Sequence, residues 1–173
     1  MSVADWWRLL AESGWGYPHW PLGRFGKSLS HLEHTEVERA RTTVGAFGVP
    51  NDVSVTLVAP TLMEHGNEVL INRYLESIAT GQEMWCQLFS EPDAGSDLAG
   101  LRTLAKRDGD RWIINGSKVW TTGGHASRRA VLMARTDPNA DRHAGISFFI
   151  IDMKQPGVSV SPLKDMTGDE EFN

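Results

Sequence analysis

Gln87–Asp97 reads Q-L-F-S-E-P-D-A-G-S-D, and Lys118–Thr122 reads K-V-W-T-T. The first stretch is an apolar run that passes into a loop carrying a proline and a glycine. The second is β-branched and aromatic. Between them, Trp112–Ile114 and Ser117–Trp120 flank Asn115-Gly116, the strongest short-range signal for a two-residue hairpin turn. The pattern therefore predicts a strand that runs into a loop, followed by a hairpin. The loop presents Ser90, Gly95 and Ser96, and the hairpin presents Trp120, Thr121 and Thr122. Small hydroxyls, a backbone open to close approach and one broad aromatic face suit a flat ligand with a polar edge.

Working outward, Met84–Ser90 alternates as a strand with Trp85, Gln87 and Phe89 on one side. Leu101–Arg107 and Arg111–Ile114 flank Asp108-Gly109, a second hairpin signal. Ala130–Thr136, Ile146–Asp152 and Val158–Pro162 are further predicted strands, and the polar Asp137–Ala144 is a predicted loop. Upstream the period changes. Ser2 and Asp5 mark a helix start, Trp6, Leu9 and Leu10 share one face, and Gly14 ends the helix. Gly16–Arg24 reads as irregular chain. Ser30 and Glu33 form another capping box, ahead of a helix with Val37, Ala40 and Val44 on its apolar face. Val53–His65 reads as helical, with Pro60 interrupting it or opening a turn, and His65 before Gly66 reads as a helix-terminal residue. Asn67 caps a segment whose Leu70, Ile71, Tyr74, Leu75 and Ile78 form one stripe, ended by Gly81. Helices first and strands after predict an α+β chain, all-α over residues 1–83 and β over 84–173.

The chain has 173 residues, of which 40% are hydrophobic and 23% charged, with a formal net charge of −5. This is globular composition, without the basic excess that would draw nucleic acid or an anionic membrane surface. No apolar run is long enough to span a bilayer, and the N-terminus lacks a secretory pattern. A single cysteine, Cys86, excludes an internal disulfide framework. These features predict a cytoplasmic protein with no membrane or nucleic-acid partner and with Cys86 as an inert structural thiol. Trp6, Trp7, Trp15 and Trp20 cluster near the N-terminus and are expected to pack between helices. There is no metal-ligand spacing, no G-x-S-x-G elbow and no G-x-G-x-x-G after a strand. A nucleotide-like ligand, if bound, is held by another architecture.

F-S-E-P-D-A-G-S-D from Phe89, N-G-S-K-V-W-T-T from Asn115 and G-I-S-F-F-I-I-D-M from Gly145 together resemble the middle domain of acyl-CoA dehydrogenases. The resemblance runs from about Trp15 onward and is densest over Trp85–Thr122. It implies an N-terminal helical region followed by an antiparallel, β-barrel-like middle domain. It also implies FAD as cofactor, an acyl-CoA thioester as substrate, and α,β-dehydrogenation with hydride passing to the flavin. An electron-transferring flavoprotein is the implied electron acceptor, and a homo- or hetero-oligomer the implied assembly. Carried over residue by residue, Gln87, Phe89 and Ser90 line the flavin ring, and Gly95 and Ser96 approach the diphosphate. Ser96 also touches the pantetheine arm of the substrate, while Trp120 and Thr122 lie against the ring. No metal is implied.

The family's catalytic carboxylate lies in a C-terminal helical domain, whereas this chain closes on T-G-D-E-E-F-N within the β region. No residue here is matched to that base. Glu91, which beside Pro92 reads as a surface carboxylate on a loop, holds a structural place in relatives. The resulting expectation is a fragment of a flavin-dependent acyl-CoA dehydrogenase that is not catalytically competent alone and binds FAD weakly or not at all. The alternative is a non-catalytic subunit or remnant of the same fold, working only beside a full-length partner.

Overall fold

Short-range capping decides where the helices begin. In the computed structural model, which describes residues 1–173, α1 (Val3–Ser13) opens on a reciprocal Ser2–Asp5 capping box. It closes at Gly14, whose φ of 73° is left-handed. A second box between Ser30 and Glu33 opens α2 (His31–Thr43). Ser54–Val58 forms a π-helical turn that runs without a break into α3 (Ala59–His65), and Pro60, which has no N–H to give the preceding turn, lies at the junction. The Asn67 side chain accepts from the Leu70 N–H to start α4 (Glu68–Ala79). The predicted stripe on α4 is the buried one: Ile71, Tyr74, Leu75 and Ile78 are all in the core.

The chain divides into two compact units, Met1–Met84 and Trp85–Asn173. In the first, the early tryptophans do not all pack as expected: Trp20 is buried, Trp6 and Trp7 are half-buried and Trp15 is exposed. Trp6 and Trp7 donate their indole N–H to the carbonyls of Phe47 and Gly48, and buried Trp20 stacks on Tyr17 at 4.1 Å between ring centroids. One expectation fails here. The apolar face expected of α2 buries nothing, and Ala40 and Val44 are exposed. The helix is instead held by its cap, by the Arg39–Glu36 and Arg41–Glu38 pairs along its own surface, and by Arg41 donating to the Trp15 carbonyl.

The second unit is built on a five-stranded sheet. Its strands are β1 (Trp85–Leu88), β2 (Leu104–Asp108), β3 (Arg111–Asn115), β4 (Arg129–Arg135) and β5 (Ile146–Asp152). β4 is central. It pairs in parallel with β1 over Arg129–Leu132, touches β2 in parallel at Arg135, and pairs antiparallel with all of β5. β3 is joined to β2 by a tight turn at Asp108↔Arg111, with Gly109 at φ 59°. The α+β organisation stands, but the sheet is mixed, because β1 and β2 reach β4 through long connections that let them run alongside it. β1 also lacks the expected alternation. Trp85 and Cys86 are both buried while Gln87 is exposed, so the strand is covered on both faces only at its start. Two buried clusters, Cys86, Ala130 and Met153 in one and Ala105, Leu132 and Ala134 in the other, are bridged by the half-buried Leu88 and Ile151.

Two predicted strands are absent. Residues 116–120 are not a strand, so there is no hairpin at Asn115-Gly116. Gly116 is needed for a different reason: a Cβ there would collide with the Thr103 side chain. Residues 158–162 likewise form no strand, although Val158 and Val160 pack against the core. No helix is long and apolar enough to cross a membrane.

Candidate functional site

The two sequence stretches that carry the candidate residues meet in space. The Val119 N–H donates to the Ser90 carbonyl at 3.0 Å. Beside it, the Lys118 ammonium donates to the Phe89 carbonyl at 2.9 Å and to the Glu91 carboxylate at 2.8 Å. Glu91 also accepts from the backbone N–H groups of Arg102, at 2.6 Å, and Thr103, at 2.9 Å. A single carboxylate thus ties together three separate segments. It is buried, with the Glu91 and Lys118 side chains only 7% and 6% exposed. This corrects the reading of Glu91 as a surface carboxylate. Burial alone would push the Glu91 carboxyl up, but the hydrogen bonds from Lys118, Thr103 and Arg102 outweigh it and hold the group down at about 2. Burial draws Lys118 below the ordinary lysine range, an effect that the Glu91 carboxylate opposes.

On one side of this anchor the chain makes a tight turn, with Glu91 and Ala94 exchanging backbone hydrogen bonds around Pro92-Asp93. Gly95 and Ser96 follow and are exposed. Gly95 does not have a left-handed φ, and a Cβ there would meet nothing in the chain. Neither conformation nor crowding within the protein explains the glycine. A ligand that approaches the backbone would.

On the other side lies Trp120, at φ 60° in the left-handed region and with the residue 67% exposed. A bulky residue in that conformation stores roughly 1–2 kcal/mol of strain. The conformation is imposed from both flanks. Val119 is held by Ser90, while Thr121 exchanges backbone hydrogen bonds with Asn173 at 3.0 and 2.9 Å. The Trp120 indole leans edge-on against Phe172 at 6.2 Å. Thr122 is exposed opposite Phe172 across an isolated antiparallel bridge.

Candidate and anchoring residues therefore alternate along the chain. Gln87, Gly95, Ser96, Trp120 and Thr122 face solvent, and Phe89 and Ser90 are half-buried. Glu91, Thr121 and, largely, Lys118 lie inside and fix them. The Phe89 ring packs edge-on against Phe148 at 6.1 Å. The structure brings Phe89 and Ser90 to the segment that carries Trp120 and Thr122. Gly95 and Ser96 are linked to it only through the Glu91 turn, and Gln87 stands apart on β1 opposite Val131. Sequence reasoning missed Lys118 as an anchor, although the lysine was in plain view inside the quoted motif.

A cavity of ≈ 590 Å³ lies in the same unit, with a floor of Leu88, Leu132, Ile151 and Met153 and polar groups from Lys118, Thr121 and Asn173. None of the candidate residues lines it. No cluster of three or more His, Cys, Asp or Glu is arranged to hold a metal.

Residues 86–172 match the family model for the acyl-CoA dehydrogenase middle domain. The chain belongs to the acyl-CoA dehydrogenase family. It is 43% identical over 164 residues to acyl-CoA dehydrogenase FadE34 of Mycobacterium tuberculosis, a match covering 95% of this chain and 23% of that protein. Among solved structures it resembles the ChsE4-ChsE5 complex from Mycobacterium tuberculosis with a TM-score of 0.79 and 32% identity, over 98% of this chain and 43% of that one. It also resembles a glutaryl-CoA dehydrogenase from Mycobacterium smegmatis in complex with FADH2, with a TM-score of 0.64 and 27% identity, over 92% of this chain and 40% of that one. The chain thus spans less than half the length of these relatives.

Proposed function

We propose that this chain contributes the flavin-facing wall of an FAD-dependent acyl-CoA dehydrogenase, acting on an acyl-CoA thioester within a larger assembly. The observation that carries this reading is Trp120, an exposed indole held in a strained backbone conformation by anchors on both sides. A fold does not expose and strain its largest side chain for its own stability. The family uses FAD, and the residues present here fit it. The Trp120 face would stack on the isoalloxazine, and the hydroxyls of Thr122 and Ser90, with the backbone at Phe89, would meet its polar edge. Gln87 would lie along the same wall. Gly95 would admit the diphosphate to the backbone, and Ser96 would hydrogen-bond the diphosphate and the pantetheine arm of the substrate. When bound, FAD supplies the two-electron acceptor for dehydrogenation of the acyl chain. This chain's own residues bind, orient and shield; none is assigned as the proton-abstracting base. The electron-transferring flavoprotein as acceptor and a homo- or hetero-oligomeric assembly belong to the same proposal.

The test is a titration of the 173-residue chain with FAD, followed by flavin fluorescence. Weak, saturable binding is expected, reduced by Trp120→Ala and Ser96→Ala but not by replacing Trp15, an exposed tryptophan of the other unit. FAD binding indifferent to both Trp120→Ala and Ser96→Ala would overturn the reading.

A further inference from the structure

The buried Glu91–Lys118 pair reaches the proposed ligand-facing wall only through the Phe89 carbonyl, yet it ties together the segments at residues 89–91, 102–103 and 118. We propose that it is the positioning device of the slot, locking residues 118–121 against 89–91 so that the Trp120 indole is presented outward. The inference rests on the flavin reading above for what the indole is presented to, but the positioning itself is a property of the chain.

The argument starts from the strain at Trp120. A left-handed tryptophan relaxes unless its neighbours are fixed. Downstream, Thr121 is fixed by two backbone hydrogen bonds to Asn173. Upstream there is one backbone bond, Val119 to Ser90, and a single hydrogen bond of this kind is worth too little to hold a strained residue. The remaining restraint is Lys118, whose ammonium grips both the Phe89 carbonyl and Glu91. Glu91 in turn is held by the N–H groups of Arg102 and Thr103, just ahead of β2, and the Thr103 carbonyl accepts from the Arg135 N–H, so the grip is referred to the sheet through β4. Charge-assisted bonds in a buried setting are the strong, geometrically definite kind. A surface pair would not serve. The Arg102–Asp93 pair lies in the same region, but its side chains are 78% and 72% exposed, which leaves it screened and adjustable.

The alternative is that the pair only stabilises the fold. The two roles separate by spectroscopy. The indole N–H resonance of Trp120 is identified by its loss in Trp120→Phe and then followed in Lys118→Met, which keeps an unbranched stem and removes the ammonium. Val131→Ala, in the fully buried centre of β4, serves as a comparably destabilised control. Positioning predicts that Lys118→Met shifts or broadens the Trp120 resonance while Val131→Ala leaves it in place. It also predicts FAD binding about tenfold weaker in Lys118→Met, equivalent to about 1.4 kcal/mol. If Lys118→Met does not fold, Glu91→Gln/Lys118→Met, which leaves no buried charge behind, carries the same test. An unmoved Trp120 resonance in a folded variant overturns the positioning role. A moved resonance with FAD affinity unchanged in Lys118→Met upholds the clamp and sinks the flavin reading.

Discussion

Replacing Trp120 by glycine should leave the protein more stable than replacing it by alanine, the reverse of the usual order. Both substitutions remove the edge-on contact with Phe172, worth about 0.5–1.5 kcal/mol. Alanine keeps the penalty of a φ of 60°, roughly 1–2 kcal/mol for an L-residue. Glycine sheds that penalty and incurs instead about 0.5–1 kcal/mol from the greater freedom of its unfolded chain. The difference favours glycine by about 0.5–1 kcal/mol, whereas at an unstrained exposed position glycine would be the worse residue by a similar amount. With a urea m-value of about 2 kcal/mol/M, the two midpoints should differ by about 0.25–0.5 M. Urea titrations followed by Cys86 thiol exposure would report the second unit alone, because Cys86 is buried in β1 of that unit. An alanine variant as stable as the glycine variant, or more so, would show that Trp120 is not strained and remove the main support for its functional reading.

Glu91 gives a pH signature. Its carboxyl sits at about 2 in the folded chain against an ordinary 4.5, so the stability it contributes is present above pH 4.5 and lost as pH falls through about 2. Glu91→Gln should cost about 3 kcal/mol at pH 7 and flatten the stability profile between pH 4.5 and 2, and parallel acid limbs in the two proteins would contradict this. Gly116→Ala should destabilise by about 1–3 kcal/mol, since its methyl would displace Thr103, whose N–H is held by Glu91. An unchanged melting curve for that variant would argue against the close packing described. Cys86 is 1% exposed and burial pushes its thiol up, so a thiol reagent should label it only after unfolding; rapid labelling of native protein would contradict its place at the β1–β4 seam.

What could be read from the sequence tracks how local its cause is. The Ser2–Asp5 and Ser30–Glu33 boxes, the Asn67 cap and the α4 stripe are settled within a few residues, and each is where the pattern puts it. Periodicity counts residues rather than neighbours, so it assigned α2 an inward face that nothing covers. Asp108-Gly109 and Asn115-Gly116 look alike on the page. Only the first is a turn, because Gly116 is fixed by Thr103, which another part of the chain delivers. Glu91 is the sharpest case. Its partners lie 11, 12 and 27 residues away, so no window around it can distinguish a buried anchor from a loop carboxylate. The candidate residues came from a resemblance in the order and spacing of short motifs, which is independent of packing; Phe89 and Ser90 are half-buried and exposure would not single them out.

The parallel pairing of β1 with β4 has a consequence for the order of assembly. The β2–β3 turn and the antiparallel β4–β5 ladder join strands that follow one another closely, whereas Trp85 must find Arg129 across everything between them. Loop-closure entropy delays such contacts until the local ones exist. Lys118 and Glu91 both lie within that closing loop. Being only 27 residues apart, they are free to unite before that loop closes, after the β2–β3 pairing they enclose and ahead of the β1–β4 seam.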